Sequence, residues 1–143
     1  MALKRILGVD YGDARTGLAL SDPSGFLASG AGTIKSTGFM KTAEAVSDFA
    51  KEKGVELIVL GHPINMNGTL GPRSEKIKAF AKTLEELSGI RVELMDERLS
   101  TMNAHQILNQ TNTRGQKRKE IIDEMSACLI LQSYLDREKN RGN

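Results

Sequence analysis

Gly8-Val9-Asp10-Tyr11-Gly12-Asp13-Ala14-Arg15-Thr16-Gly17-Leu18-Ala19-Leu20-Ser21-Asp22 reads as strand, tight turn, strand. Ile6, Leu7 and Val9 are strand formers, and strict alternation sends Ile6, Gly8 and Asp10 to one face and Leu7 and Val9 to the other. Asp10 therefore closes an apolar strand. A carboxylate there is costly to hold unless a cation or a hydrogen-bond donor meets it. A metal ion or a phosphate-bearing ligand supplies such a partner. The plainer alternative is a turn aspartate bonded to nearby backbone amides.

Working outward, the first strand covers about Lys4 to Asp10 and the second about Thr16 to Ser21. Asp22-Pro23-Ser24-Gly25 is a turn, and Phe26 to Ile34 forms a third, antiparallel strand weakened by Gly30 and Gly32. Ala43, Val46, Phe49 and Ala50 place a helix over Phe39 to Lys53, stopped by Gly54. Leu57-Ile58-Val59-Leu60, between Glu56 and Gly61, reads as a strand buried on both faces. A loop from Gly61 leads to Pro72, which suits the first turn of a helix reaching about Leu87. Arg91 to Met95 is a fifth strand, followed at once by Asp96-Glu97-Arg98. Ser100 or Thr101 caps a helix through about Asn109. Gln110 to Gln116 reads as a loop, and Lys117 to Arg137 as a helix apolar nearly all round from Ile121 to Leu135. The order β-β-β-α-β-α-β-α-α implies α/β architecture, a five-stranded mixed sheet covered by helices.

The chain has 143 residues, enough for one domain with a real core. Residues 1–138 read as that domain and 139–143 as a frayed basic tail. No apolar run approaches the roughly 20 residues that cross a bilayer, so no membrane partner is expected. The N-terminus lacks a signal-peptide pattern, and the lone Cys128 reads as a small buried hydrophobe. These features point to the cytoplasm. Two His and one Cys show no zinc-ligand spacing. Net charge is only +2, yet basic residues gather late, at Arg114, Lys117, Arg118 and Lys119 and again at Arg137, Lys139 and Arg141.

The chemistry concentrates on acids at element ends. If the first, fourth and fifth strands are parallel neighbours, their carboxyl ends share the sheet edge where open α/β folds bind ligands. Asp10 and Glu97 then approach each other, and Asp123 projects from the last helix to complete a carboxylate cluster. Such a cluster suits Mg²⁺ or Mn²⁺, and two ions about 4 Å apart can drive phosphodiester hydrolysis without a His or Ser nucleophile. Each acid also has a plain reading. Glu97 could pair with Arg98 or Arg15, and Asp123 could compensate the helix dipole. Asp13, Asp22 and Asp96 read as turn or supporting groups, His62 as a loop histidine and His105 as a helix-surface residue. The stretch Arg114 to Lys119 could grip nucleic-acid phosphates or be a solvated turn. Aromatic residues make up only 4% of the chain, which favours backbone contacts over base stacking.

Four motifs, in order, resemble the YqgF (RuvX-like) family. They are Gly8-Val9-Asp10-Tyr11-Gly12 with Arg15, Gly17, Ala19 and Ser21-Asp22; Gly61-His62-Pro63 with Asn67-Gly68 and Gly71-Pro72; Asp96-Glu97-Arg98-Leu99-Ser100-Thr101; and Lys119 through Ile122-Asp123-Glu124-Met125-Ser126-Ala127 to Leu135. Ser126 departs from the usual Ala of the last motif. The resemblance implies a ribonuclease H-like fold and a cytoplasmic bacterial nuclease assigned to maturation of the 5′ end of pre-16S rRNA. It also carries an older description, Holliday junction resolvase. It implies Asp10, Glu97 and Asp123 as the catalytic, metal-binding acids, in accord with the cluster above, and assigns no role to His62.

The resulting expectation is a nuclease using Mg²⁺ or Mn²⁺, with Arg15, Arg98, Arg114, Lys117, Arg118 and Lys119 on substrate phosphates. RNA is the favoured partner and branched DNA the alternative, with the protein a monomer or weak homodimer. A non-catalytic nucleic-acid or transcription-complex partner is a further reading. An actin/Hsp70-type ATP-binding domain shares the Asp-x-Gly loop but needs a second phosphate motif, which nothing after Ile90 supplies.

Overall fold

The alternation along Arg5–Asp10 (β1) holds: Leu7 and Val9 enter one hydrophobic cluster and Ile6 another, on opposite faces of a sheet. The computed structural model describes residues 5–25, 27–62, 71–96 and 115–141, without the side chains of 115–119 and 139–141. Beyond β1 it contains Arg15–Ser21 (β2), Ala28–Lys35 (β3), Phe39–Glu52 (α1), Val55–His62 (β4), Pro72–Ser88 (α2), Arg91–Asp96 (β5) and Gly115–Arg141 (α3). The helix expected from Ser100 to Asn109 lies outside the described residues.

The sheet runs β3-β2-β1-β4-β5. The first three strands are antiparallel, and β1, β4 and β5 are parallel neighbours. This is the mixed sheet that the element order implies. The carboxyl ends of β1, β4 and β5, at Asp10, His62 and Asp96, therefore lie along one edge.

Helices α1 and α2 cover one face. Ala43, Val46 and Ala50 of α1 and Ile77, Phe80 and Leu84 of α2 pack on Leu7, Val9, Leu18, Ile58 and Leu60. Each large side chain so buried stabilises the fold by roughly 1.5–3 kcal/mol against exposure. Helix α2 begins at Pro72, whose missing N–H costs nothing there, and ends where Gly89 turns left-handed and donates to the Glu85 carbonyl. Helix α3 covers the other face, with Ala127, Ile130, Leu131, Tyr134 and Leu135 on Ile6, Ala19 and Val59.

Several boundaries differ from the sequence reading, among them β3, which runs Ala28–Lys35 where Phe26 to Ile34 was expected. Strand β4 is twice the length of its apolar run, because pairing with β1 extends it back to Val55 and pairing with β5 carries it on to His62, which is thus a strand residue and not a loop residue. Helix α3 starts at Gly115 and runs to Arg141, past both expected ends, through residues such as Gln116 and Lys117 that suit a helix. It also buries one stripe, while Ile121, Ile122, Met125 and Leu129 are half-buried. Its main contacts among the described residues are with strands.

Strand β3 carries a bulge. Gly17 pairs with Thr33 and Ala19 with Gly30, so Ala31 and Gly32 together oppose Leu18. Gly32 accommodates the bulge at φ 91°, a conformation open to glycine.

Candidate active site

Asp10 lies on the α3 face of the sheet, by alternation with Ile6 and Gly8. Its partner across the β1–β2 ladder is Gly17. On Gly17 the last helix touches down: a Cβ there would overlap the backbone carbonyl of Asp123. Gly8 repeats the device on β1, where a Cβ would stand 2.7 Å from Cβ of Leu131 and 2.9 Å from the Ala127 carbonyl. Two glycines on adjacent strands thus let α3 rest on bare backbone. The consequence is that Asp123 arrives beside the ladder partner of Asp10, although the two acids are 113 positions apart in sequence.

Asp123 is held there by Arg15, the first residue of β2. The guanidinium Nε donates to Oδ2 of Asp123 at 2.9 Å, and the two side chains are only 17% and 24% exposed. Burial pushes the Asp123 carboxyl above the usual carboxylate range, and the hydrogen bond and charge of Arg15 pull against that shift. Arg15, expected on substrate phosphate, thus has its Nε engaged within the site.

The neighbouring residue is anchored as well. Oε2 of Glu124 accepts the backbone N–H of Gly32 at 2.5 Å, and the same carboxylate passes over Gly30, where a Cβ would be 2.6 Å from its Cδ. The sequence pattern marks Gly30 and Gly32 as weak points of a strand, whereas the structure uses them as the seat of Glu124.

The turn after Asp10 is fastened from the opposite face. Tyr11 stacks on Phe80 with ring centroids 4.1 Å apart, and Phe39 meets both rings edge-on. Nη2 of Arg73 donates to the Tyr11 carbonyl at 2.7 Å. Asp13 pairs with Lys76 at 3.0 Å and Arg73 at 3.5 Å, and the Lys76 bond holds its carboxyl low. Arg73 and Lys76 are cations at the site's edge that sequence reasoning missed, and the signal was their place in the first turns of a helix that begins beside the sheet's carboxyl edge. At the ends of β4 and β5, His62 faces Asp96 in register, and its Nε2 lies 2.6 Å from Oγ of the buried Ser74. Burial, aided by the charge of Lys78, pushes the imidazole below its ordinary value.

The remaining expected residues are placed less fully. Glu97, Arg98, Arg114 and His105 lie outside the described residues. Lys117, Arg118 and Lys119 fall on the first turns of α3, with their side chains outside the description. Asp22 serves its turn, accepting the Leu27 N–H at 3.1 Å. Cys128 is half-buried, and burial raises its thiol.

Among the described residues no group of three or more His, Cys, Asp or Glu could hold a metal ion. Asp10 and Asp123 are two of the three expected ligands. Their donors are carboxylate oxygens, the chemistry that hard divalent cations take. The half-buried Asp123, with its ionised form disfavoured by burial, is a group that gains from a cation. The residues present fit such an ion.

Comparison with known proteins gives the family. The RuvX family, described as Holliday junction resolvase, matches residues 4–137. The chain belongs to the RuvX family. A relative from Ruminiclostridium cellulolyticum described as "Putative pre-16S rRNA nuclease" is 48% identical over 134 residues, 93% of this chain and 94% of that protein. One of the same description from Clostridioides difficile is 48% identical over 132 residues, 92% and 94% of the two chains. Among solved structures, Thermus thermophilus RuvC in complex with a Holliday junction substrate superposes with a TM-score of 0.58 at 12% identity, over 95% and 96% of the chains. Fowlpox virus resolvase with its Holliday junction DNA gives 0.56 at 15%, over 94% and 98%. At such identities the likeness is one of fold, and it bears out the ribonuclease H-like architecture for this RuvX chain.

Proposed function

We propose that this chain is a divalent-metal-dependent nuclease that hydrolyses phosphodiester bonds in RNA, acting in 5′-end processing of pre-16S rRNA. The observation that carries the reading is the placement of Asp123 beside Gly17, the ladder partner of Asp10, on the sheet face that Asp10 shares, with Arg15 holding Asp123. The description shared by relatives that span nearly the whole chain supports the rRNA substrate. Residues 1–138 form the nuclease domain, in a cytoplasmic protein that acts as a monomer or weak homodimer.

Asp10, Glu97 and Asp123 would hold Mg²⁺ or Mn²⁺. A cation there supplies activation of water and stabilisation of the leaving oxygen. The chain's own residues do the rest. The glycine track under α3 sets where Asp123 stands, and Arg15 keeps its carboxylate turned inward. Arg98, Arg114, Lys117, Arg118 and Lys119 hold backbone phosphates, a contact that positions substrate without reading its sequence.

The family's description favours a second reading, cleavage of a four-way DNA junction. Symmetric cutting of a junction calls for a dimer. One assay separates the two. Wild type and Asp10→Asn meet precursor RNA, duplex RNA and a four-way junction, each with Mg²⁺, Mn²⁺ or EDTA. Metal-dependent cutting of the precursor, lost in the variant, is the expected result. Preferential junction cutting supports the second reading, and no cutting under any condition removes both.

A further inference from the structure

We propose that Glu124 is a positioning residue for Asp123, locking α3 to the β3 bulge so that the Asp123 carboxylate meets Arg15 and the end of β1 in one orientation. The inference rests on the nuclease reading of Asp10 and Asp123.

Three contacts act on this turn of α3, and they constrain different motions. Gly17 sets the height of the helix above the sheet, since its α-carbon is the floor under the Asp123 carbonyl. A glycine floor opposes neither rotation of the helix about its axis nor sliding along it. Arg15 grips Asp123 itself, but through a long side chain with many rotamers. Glu124 alone of the three joins helix side chain to strand backbone. Adjacent residues on a helix are about 100° apart, so a pin at Glu124 fixes the direction in which Asp123 projects.

The sheet side of this pin is built for it. The bulge places two residues of β3 opposite one of β2, which takes an amide out of the regular ladder. The Gly32 N–H donates instead to Oε2 of Glu124. An ionised acceptor makes that bond stronger than a neutral one. Gly30 clears the path, because a Cβ would stand 2.6 Å from Cδ and 2.8 Å from Cγ of Glu124. The bulge, the bare Gly30 and the acid beside Asp123 are one device.

The test compares wild type with Glu124→Ala, Glu124→Gln and Gly30→Ala. Gly30→Ala keeps Glu124 but obstructs its seat, and so serves if Glu124→Ala fails to fold. Two readouts are taken on each folded variant. The first is the NMR signal of the Arg15 Nε–H, which needs neither metal nor substrate. It should exchange with solvent slowly in wild type and in Glu124→Gln, whose amide oxygen still accepts from Gly32. It should exchange at least about tenfold faster in Glu124→Ala and Gly30→Ala. The second is cleavage kinetics with Mg²⁺. Misplacement of a reacting group by about 1 Å costs on the order of 100-fold, so kcat should fall by roughly 10- to 100-fold in Glu124→Ala with KM within about twofold. Glu124→Gln should recover most of it. An unchanged Arg15 signal in both Glu124→Ala and Gly30→Ala overturns the proposal. So does a kcat loss that Gln does not rescue, or a loss carried by KM. If wild type cuts nothing, the nuclease reading fails by itself, and the Arg15 signal alone decides whether Glu124 positions Asp123.

Discussion

The carbonyl of Asp123 lies on the α-carbon of Gly17, and Gly17 is the residue opposite Asp10 in the β1–β2 ladder. Gly17→Ala should therefore force the last helix off the sheet at the ladder partner of Asp10. Because the atom it strikes is backbone, relief needs a shift of the helix, and the cost should be about 3 kcal/mol. Gly25→Ala is the control. Nothing lies within 4 Å of that position, but its φ is 80°, so strain of about 1 kcal/mol is expected. Urea denaturation of the two variants should give that order, and the reverse order would contradict the close seating of α3.

Replacing Arg15 should change how Asp123 titrates. Burial raises the Asp123 carboxyl and Arg15 lowers it, so Arg15→Gln leaves burial unopposed. The carboxyl ¹³C titration of Asp123 should move to higher pH. A raised carboxyl disfavours the ionised form in the folded protein, so this contribution is intact below the unfolded value of 3.8 and is lost as pH rises through the folded one. Arg15→Gln should thus be destabilised at pH 7 and approach wild type as Asp123 is protonated.

His62 predicts the opposite slope near neutrality. Its imidazole is held below 6.5, chiefly by burial, so the unfolded chain binds a proton more readily. Stability from this group is whole above pH 6.5 and is lost as pH falls through the lower folded value. His62→Gln should flatten the change in denaturation midpoint between pH 7.5 and pH 5.5. Equal slopes in wild type and variant would remove His62 as the cause.

Phe80 joins the core to the turn that follows Asp10. Phe80→Ala removes the ring under Tyr11 and the edge contact with Phe39, 5.6 Å away between centroids. Loss of a buried phenyl costs about 4 kcal/mol. The amides of Tyr11 and Gly12 should lose hydrogen-exchange protection beyond what global destabilisation accounts for. If they lose no more than the far end of β1, the stack does not secure the turn.

Much of this architecture was legible in the residues themselves. Alternation placed Asp10 on the face opposite Leu7 and Val9, and the apolar run 57–60 marked a strand buried on both faces. What the pattern concealed was long-range fit. Nothing local says that Gly8 and Gly17 must be bare to receive α3, because the atoms that demand it lie more than 100 residues away. Glu124 and Gly32 are mute for the same reason, since a bulge is visible only in the register of two strands. Arg15 was legible as a functional cation, but its Nε partner belongs to the last helix. Local chemistry names candidates, and only packing says which of them meet.

The placement of α3 has a consequence for synthesis. The N-terminal strands leave the ribosome first, yet among the described residues Ile6, Ala19 and Val59 are covered chiefly by Ala127 through Leu135. Until those last residues emerge, one side of the sheet stays wet and prone to association. The arrival of Asp123 beside Gly17, and its ion pair with Arg15, wait for the same event. A nascent or truncated chain ending short of α3 thus lacks the cover of one sheet face and the acid at 123, so on the nuclease reading cutting begins only once α3 has been made.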